Sequence, residues 1–166
     1  MAYFDPGSVI WDLKSTDKFD AIREVVFNAR AFAQVPDLEV GEFAELVIRR
    51  EKLQSTGFGH GVAVAHGRTK RVSEPVIALG VSRGGIEFGA VDGQPVHLLF
   101  IVANHPDHQM NYLRILSSLV SMVREERFRE EILSCGRASE AEQKLCGAFE
   151  VLLQRHEAGK RSEATA

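Results

Sequence analysis

A layered α/β fold, with a mixed sheet flanked by helices on both faces, is predicted by three observations. Residues 16–34 and 39–53 carry apolar side chains at spacings of three and four, the period of a helix with one buried face. Three short apolar runs follow, bounded by glycine, proline and aspartate, and read as strands. The last third then returns to helical spacing. Helical segments on either side of a block of apolar strands point to a sheet covered on both faces.

In chain order, the first helix is expected from Thr16 to Gln34. Ile22, Val25, Val26, Ala29, Phe32 and Ala33 form its inner face, Thr16 or Asp17 its cap, and Pro36 its limit. A second runs from about Glu39 to Leu53, with Phe43, Leu46, Val47 and Leu53 inward and Arg49 to Lys52 at a polar end. The glycine-rich "TGFGHG" breaks it. The strand runs are "GVAVAH" (61–66), "PVIALGVS" (75–82) and "PVHLLFIVA" (95–103), and Asp92-Gly93 marks a tight turn before the third. The second and third are apolar at nearly every position, as strands buried on both faces are. "QMNYLRILSSLVSMVREE" then places Leu113, Leu116, Leu119, Val120 and Val123 on one stripe, and Ser139 with Glu142 reads as a capping box opening a last helix. One domain over 1–156 is expected, with 157–166 a disordered tail.

Composition narrows the function. The 166 residues are 45% hydrophobic and 26% charged, an ordinary globular balance. A net charge of -3 with a pI near 6.1 argues against nucleic acid as a partner. Two cysteines, Cys135 and Cys146, make neither a disulfide framework nor a zinc pattern, which fits a reducing cytoplasm. The N-terminus lacks a secretory signal, and no run reaches the 18 apolar residues of a membrane span.

Among six histidines, His66 stands apart. It follows an apolar run and sits between Ala65 and Gly67, whose small size leaves the imidazole open to a macromolecule. A neutral imidazole is a nucleophile that needs no separate base, and phosphoryl transfer to it needs little beyond positioning and positive charge. Arg50, Arg68 and the N–H groups of the glycine-rich turn are the nearby donors in sequence. "TGFGHG" lacks both the Lys-Ser/Thr ending of a nucleotide phosphate loop and the G-x-G-x-x-G spacing, so no nucleotide cofactor is expected. His97 reads as a core or edge residue and His156 as a helix-end residue. "HPDH" at 105–108 has the spacing of a generic loop, and no metal is expected there.

These residues resemble the enzyme IIA domain of the fructose, mannitol and nitrogen type in the bacterial sugar phosphotransferase system. Its mark is an acidic or amide residue, six positions, an apolar residue, glycine, two positions, then apolar-Ala-apolar-Pro-His-Gly. Glu51, Phe58, Gly59, Val62, Ala63, Val64, His66 and Gly67 fill those places, and Ala65 replaces the proline. "RREKLQSTGFGHGVAVAHGR", "GVSRGGIEFGAVDGQPVHLLFIV" and "LRILSSL" extend the likeness to roughly residues 8–155.

The resemblance implies a mixed sheet with helices and a phosphorylated His66, reacting through Nε2. It also implies Arg50 beside the phosphoryl group; the backbone N–H groups of Gly59, His60, Gly61 and Gly67 are expected to cradle that group, since glycine-rich turns can aim donors at anions. A family histidine on the helix after the last core strand falls at Tyr112, and a tyrosine offers the phosphoryl oxygens only one donor. His108, one turn earlier, is a partial substitute. Loss of the proline before His66 is expected to loosen the strand exit.

The implied function is a phosphocarrier without cofactor or metal, charged by an HPr-type histidine carrier and discharged to an enzyme IIB or a regulatory protein. As a stand-alone IIA it is expected to act in nitrogen-type regulation. The alternative is a docking module of the same fold that transfers phosphate poorly, supported by Ala65 and Tyr112. A third reading, a metal site built from His60, His66, His105 and His108, has only composition behind it.

Overall fold

A computed structural model describes the backbone of residues 3–165 and the side chains through Gly159. The elements in order are β1 (Val9–Ile10), α1 (Lys18–Asn28), α2 (Arg30–Ala33), α3 (Val40–Leu53), β2 (Gly57–Gly59), β3 (Val62–Arg68), β4 (Val76–Ile86), β5 (Val96–Asn104), α4 (Gln109–Val123), α5 (Glu126–Leu133) and α6 (Ala138–Thr165). The five strands form one sheet in the order β1-β4-β5-β3-β2. It is mixed: β1 with β4 and β3 with β5 are parallel, whereas β4 with β5 and β2 with β3 are antiparallel. Helices cover both faces, α1 to α3 on one and α4 to α6 on the other.

The alternation of side chains along β3 divides the molecule. Ala63 and Ala65 face α1 and α3, packing with Val25, Phe43 and Val47, while Val62 and Val64 face Ile115, Leu119 and Phe149 on the opposite side. Gly67 shares the first face, and a Cβ there would stand 2.9 Å from Phe43 Cε2 and 3.0 Å from Val47 Cγ2. Small residues therefore let α3 lie tight against the strand that carries His66.

The expected first helix is interrupted. Asp17 caps α1, accepting from the N–H groups of Phe19 at 3.0 Å and Asp20 at 3.1 Å. Ala29 then becomes extended, so that the Arg30 N–H donates to the Gly7 carbonyl at 2.8 Å and ties the turn to the N-terminal segment. The second helix begins as expected, with the Glu39 carboxylate accepting from Gly41 and Glu42, but at its end Leu53 faces solvent while Ile48 and Glu51 are buried.

Five local expectations change. β3 does not stop at His66 but pairs on to Arg68, opposite Asn104. Val64 donates to Thr56 on the β2 side, so by alternation the Ala65 N–H points toward β5, where a proline would have none. Alanine thus extends the ladder instead of loosening it. The buried stripe of α4 comprises Tyr112, Ile115, Ser118, Leu119, Met122 and Val123, and Leu113 is exposed. It includes two polar residues that a count of apolar positions passes over, whose hydroxyls meet His66 and His156. The proposed capping box is absent, because the Glu142 carboxylate accepts from the Gly7 N–H at 2.7 Å instead. Finally, α6 runs to Thr165 through the segment read as a tail, whose alanine, glutamate, lysine and arginine favour helix.

No helix among the described residues is long and apolar enough to cross a membrane. The tight seat of α3 gives a direct test. Gly67→Ala should lower the free energy of unfolding by about 1–3 kcal/mol in urea titrations, because the added methyl meets two buried side chains. Gly84→Ala on β4, where nothing lies within 4 Å, should change it by under about 0.5 kcal/mol.

Candidate active site

His66 lies on the α4 face of β3, half-buried. Tyr112, in the first turn of α4, brings its hydroxyl to 3.0 Å from His66 Nδ1, with the two ring centroids 4.8 Å apart. The hydroxyl can donate or accept. When it accepts from Nδ1–H, the lone pair of Nε2 is left free for a reaction partner. His108 opens α4 without a side-chain cap, so the first N–H groups of the helix that carries Tyr112 have no side-chain acceptor.

Two arginines act on the imidazole. Arg50 sits in the last turn of α3 and donates to the Gln54 carbonyl at 3.1 Å, closing that helix end. Arg68 lies two residues beyond His66, on the same face of β3 by the strand period. Burial of the ring, then the charge of Arg50, then that of Arg68 hold the His66 pKa down at about 4. The Tyr112 phenol is raised by burial, opposed by the same two arginines. At neutral pH the site therefore holds a neutral imidazole beside two cations, an arrangement that rejects a third positive charge and favours a dianion.

Glu51, the acidic residue of the motif, does not reach the ring. Its buried carboxylate accepts from the Thr56 N–H at 3.0 Å and the Thr56 hydroxyl at 2.6 Å and pairs with Lys18 Nζ at 3.5 Å. Thr56 in turn accepts from the Val64 N–H at 3.3 Å. This acid thus staples the end of α3 to the edge of β3 two residues before His66. Beyond Thr56 that edge is free of β2, and by alternation the His66 N–H points to it.

The glycine-rich turn is elsewhere. Gly59, His60 and Gly61 all have positive φ and precede β3, so Gly61 and His66 are separated by roughly 17 Å at ~3.3 Å per strand residue. The His60 N–H is already donated to Asp92 Oδ2 at 3.1 Å. The three do not surround His66, and Gly67 serves packing against α3. The histidines of a supposed metal site are also dispersed. His105 stacks on His108 at 4.3 Å, and His108 Nδ1 donates to the Ser73 carbonyl at 3.0 Å. Among the described residues no three His, Cys, Asp or Glu side chains gather as a metal would require. His97 Nδ1 is satisfied by the Ser82 carbonyl at 2.8 Å. The period of two along β3 singles out Arg68 as a partner of His66, whereas the uncapped start of α4 becomes visible only once Tyr112 is placed.

The depressed His66 pKa has a measurable effect on stability. In the unfolded chain the ring titrates near 6.5 and in the folded protein near 4, so between these values protons bind the unfolded state preferentially. Native stability should fall as pH drops from about 6.5 to about 4 and be unaffected by this group above that window. His66→Gln should show a shallower loss across the same window in urea titrations. Parallel curves for the two proteins would contradict the burial of a neutral ring.

Comparison with known proteins follows the same lines. Residues 2–145 match the family described as "Phosphoenolpyruvate-dependent sugar phosphotransferase system, EIIA 2". The chain is 32% identical over 122 residues to the fructose-specific EIIABC component of Bacillus subtilis, an alignment covering 74% of this chain and 19% of that protein. It is 30% identical over 105 residues to a nitrogen regulatory protein of Pseudomonas aeruginosa, covering 63% and 68% of the two chains. The match to the fructose-specific EIIA component of Haloferax volcanii spans 58% of that relative. The crystal structure of the nitrogen regulatory protein IIA-Ntr from Neisseria meningitidis superposes with a TM-score of 0.74 at 28% identity, over 84% of this chain and 93% of that one. Mannitol IIA from Escherichia coli, at 22% identity and a TM-score of 0.69, shares the fold. With its motif, its sheet and its histidine accounted for, the chain belongs to the EIIA 2 family of the phosphoenolpyruvate-dependent sugar phosphotransferase system.

Proposed function

We propose that the chain is a cytoplasmic phosphocarrier in which His66 accepts a phosphoryl group from an HPr-type carrier and passes it to an enzyme IIB or a regulatory protein. The observation that carries this reading is the 3.0 Å contact between Tyr112 and His66 Nδ1. It engages one ring nitrogen and leaves the other for phosphorus.

In the forward step the Nε2 lone pair attacks the phosphorus of the donor phosphohistidine. The Nε2–P bond forms as the donor N–P bond breaks, and the bonding electrons return to the donor nitrogen. The His66 ring becomes positive and its Nδ1–H more acidic. Tyr112 holds that proton by accepting it in a hydrogen bond, so no proton need cross the interface. Arg50, Arg68 and the first N–H groups of α4 supply positive charge toward the phosphoryl oxygens. The resulting phosphoimidazole is discharged by the reverse displacement onto the acceptor.

Exposed apolar residues Leu53 at the end of α3 and Met110 and Leu113 in the first turns of α4 offer a protein partner apolar surface on the two helices that carry Arg50 and Tyr112. An enzyme IIB acceptor is supported by the solved complex of E. coli mannitol IIA with phosphorylated IIB, whose IIA shares this fold at 20% identity. A regulatory acceptor is supported by the nitrogen regulatory relatives. The docking-module reading keeps one observation, the tyrosine at position 112.

Incubation with phosphoenolpyruvate, enzyme I and an HPr-type carrier should add one acid-labile phosphoryl group, read by intact mass. His66→Ala should abolish the gain. A gain that persists in that variant would refute the site, and no gain in the wild type would favour docking. Tyr112→Phe removes the acceptor for Nδ1–H and should slow phosphorylation about tenfold, the worth of ~1.5 kcal/mol for a hydrogen bond to a charged group. An unchanged rate would leave Tyr112 a packing residue.

A further inference from the structure

One cavity takes no part in the phosphoryl chemistry. It has a volume of about 330 Å³ and lies between the N-terminal segment, α2 and the loop from β3 to β4. That size is at the small end of the range for small-molecule sites, roughly 300–1,000 Å³. Its floor is apolar, formed by Phe4, Val72 and Ile77, all buried. Ser8 also lines it, 2% exposed, and its hydroxyl is recessed with no hydrogen-bond partner. An unsatisfied buried hydroxyl is uncommon, and turning this one toward the cavity breaks no bond.

The charges around the opening are of both signs. Arg71, Asp5 and Glu74 line the cavity, and among the described residues none of the three is in an ion pair. A guanidinium suits a carboxylate, two carboxylates suit an ammonium, and the apolar floor suits a hydrocarbon group. Hydroxyl-rich sugars are poorly matched by such a floor.

The cavity is also joined to the active site. Ser73, in its wall, accepts from His108 Nδ1 at 3.0 Å. The His108 carbonyl accepts from the Tyr112 N–H at 3.3 Å, and the Tyr112 hydroxyl meets His66 Nδ1 at 3.0 Å. We propose that this cavity binds a free L-amino acid with an apolar side chain, and that its occupancy is felt at His66 through Ser73, His108 and Tyr112.

The test is titration of the unphosphorylated full chain with L-leucine, followed by thermal unfolding and by the NMR signals of the His66 ring. Glycine and D-mannitol serve as comparators. L-leucine should raise Tm with the logarithm of its concentration above Kd where glycine and mannitol do not, Arg71→Ala should weaken binding at least tenfold, and Ser8→Ala should weaken it about threefold. The His66 signals should move on saturation in the wild type and stay still in His108→Ala. The binding site is overturned by the absence of a Tm rise up to about 10 mM L-leucine, by equal affinity in Arg71→Ala, or by equal binding of glycine or mannitol. The link is overturned by an unmoved His66 signal at saturation. Both readouts use unphosphorylated protein, so their failure and that of the phosphocarrier reading are distinguishable.

Discussion

The close seat of α3 on β3 is the constraint on which the remaining geometry depends. Ala63, Ala65 and Gly67 present almost no side chain to α3, so Phe43 and Val47 pack directly on the strand. That contact fixes the C-terminal turn of α3, and with it Arg50, beside the strand that carries His66. Glu51 completes the junction by binding Thr56, which holds the Val64 N–H. Alternation then sends His66 to the other face, where α4 brings Tyr112. One strand thus keeps two helices at fixed distance from one imidazole. The small residues beside His66 give α3 its approach on the far side of the sheet, and the openness of the ring itself comes from its place on the α4 face.

The electrostatics follow from the same placement. Removing the ring from water disfavours its cation, and Arg50 and Arg68 disfavour it further. The same three factors leave a neutral imidazole facing positive charge, a balance that suits a dianionic group. Tyr112 fits this balance differently from a histidine at its position. A phenol, kept neutral by burial, adds no charge next to the arginines and engages Nδ1, leaving Nε2 without this partner.

Much of the fold was legible because it is written in periods. The boundaries of α3, the cores of β3, β4 and β5 and the start of α4 follow from apolar spacing, and Asp17 is one of the two residues that read as the cap of α1. Two of the misread elements share a cause: a distant backbone group competed with a local pattern. Arg30 leaves its helix for Gly7, and Glu142 leaves its cap for Gly7 as well. No window of neighbouring residues contains those partners. The stripe of α4 was misplaced because Tyr112 and Ser118 are buried through hydrogen bonds, which hydropathy does not count.

The sequence by itself determined the layered α/β class and singled out His66 as the reactive candidate, and its likeness to the family motif added Arg50 as a companion and the departure at Tyr112. Motif and spacing are local properties, and these features are local. Tertiary structure decided what each feature touches. Gly59, His60 and Gly61 adjoin His66 in sequence yet stand at the far end of an extended strand, because a strand carries the chain away at about 3.3 Å per residue. Tyr112, 46 residues away in sequence, lies in contact with the ring. Sheet register and helix packing set that distance, and both depend on groups far apart along the chain.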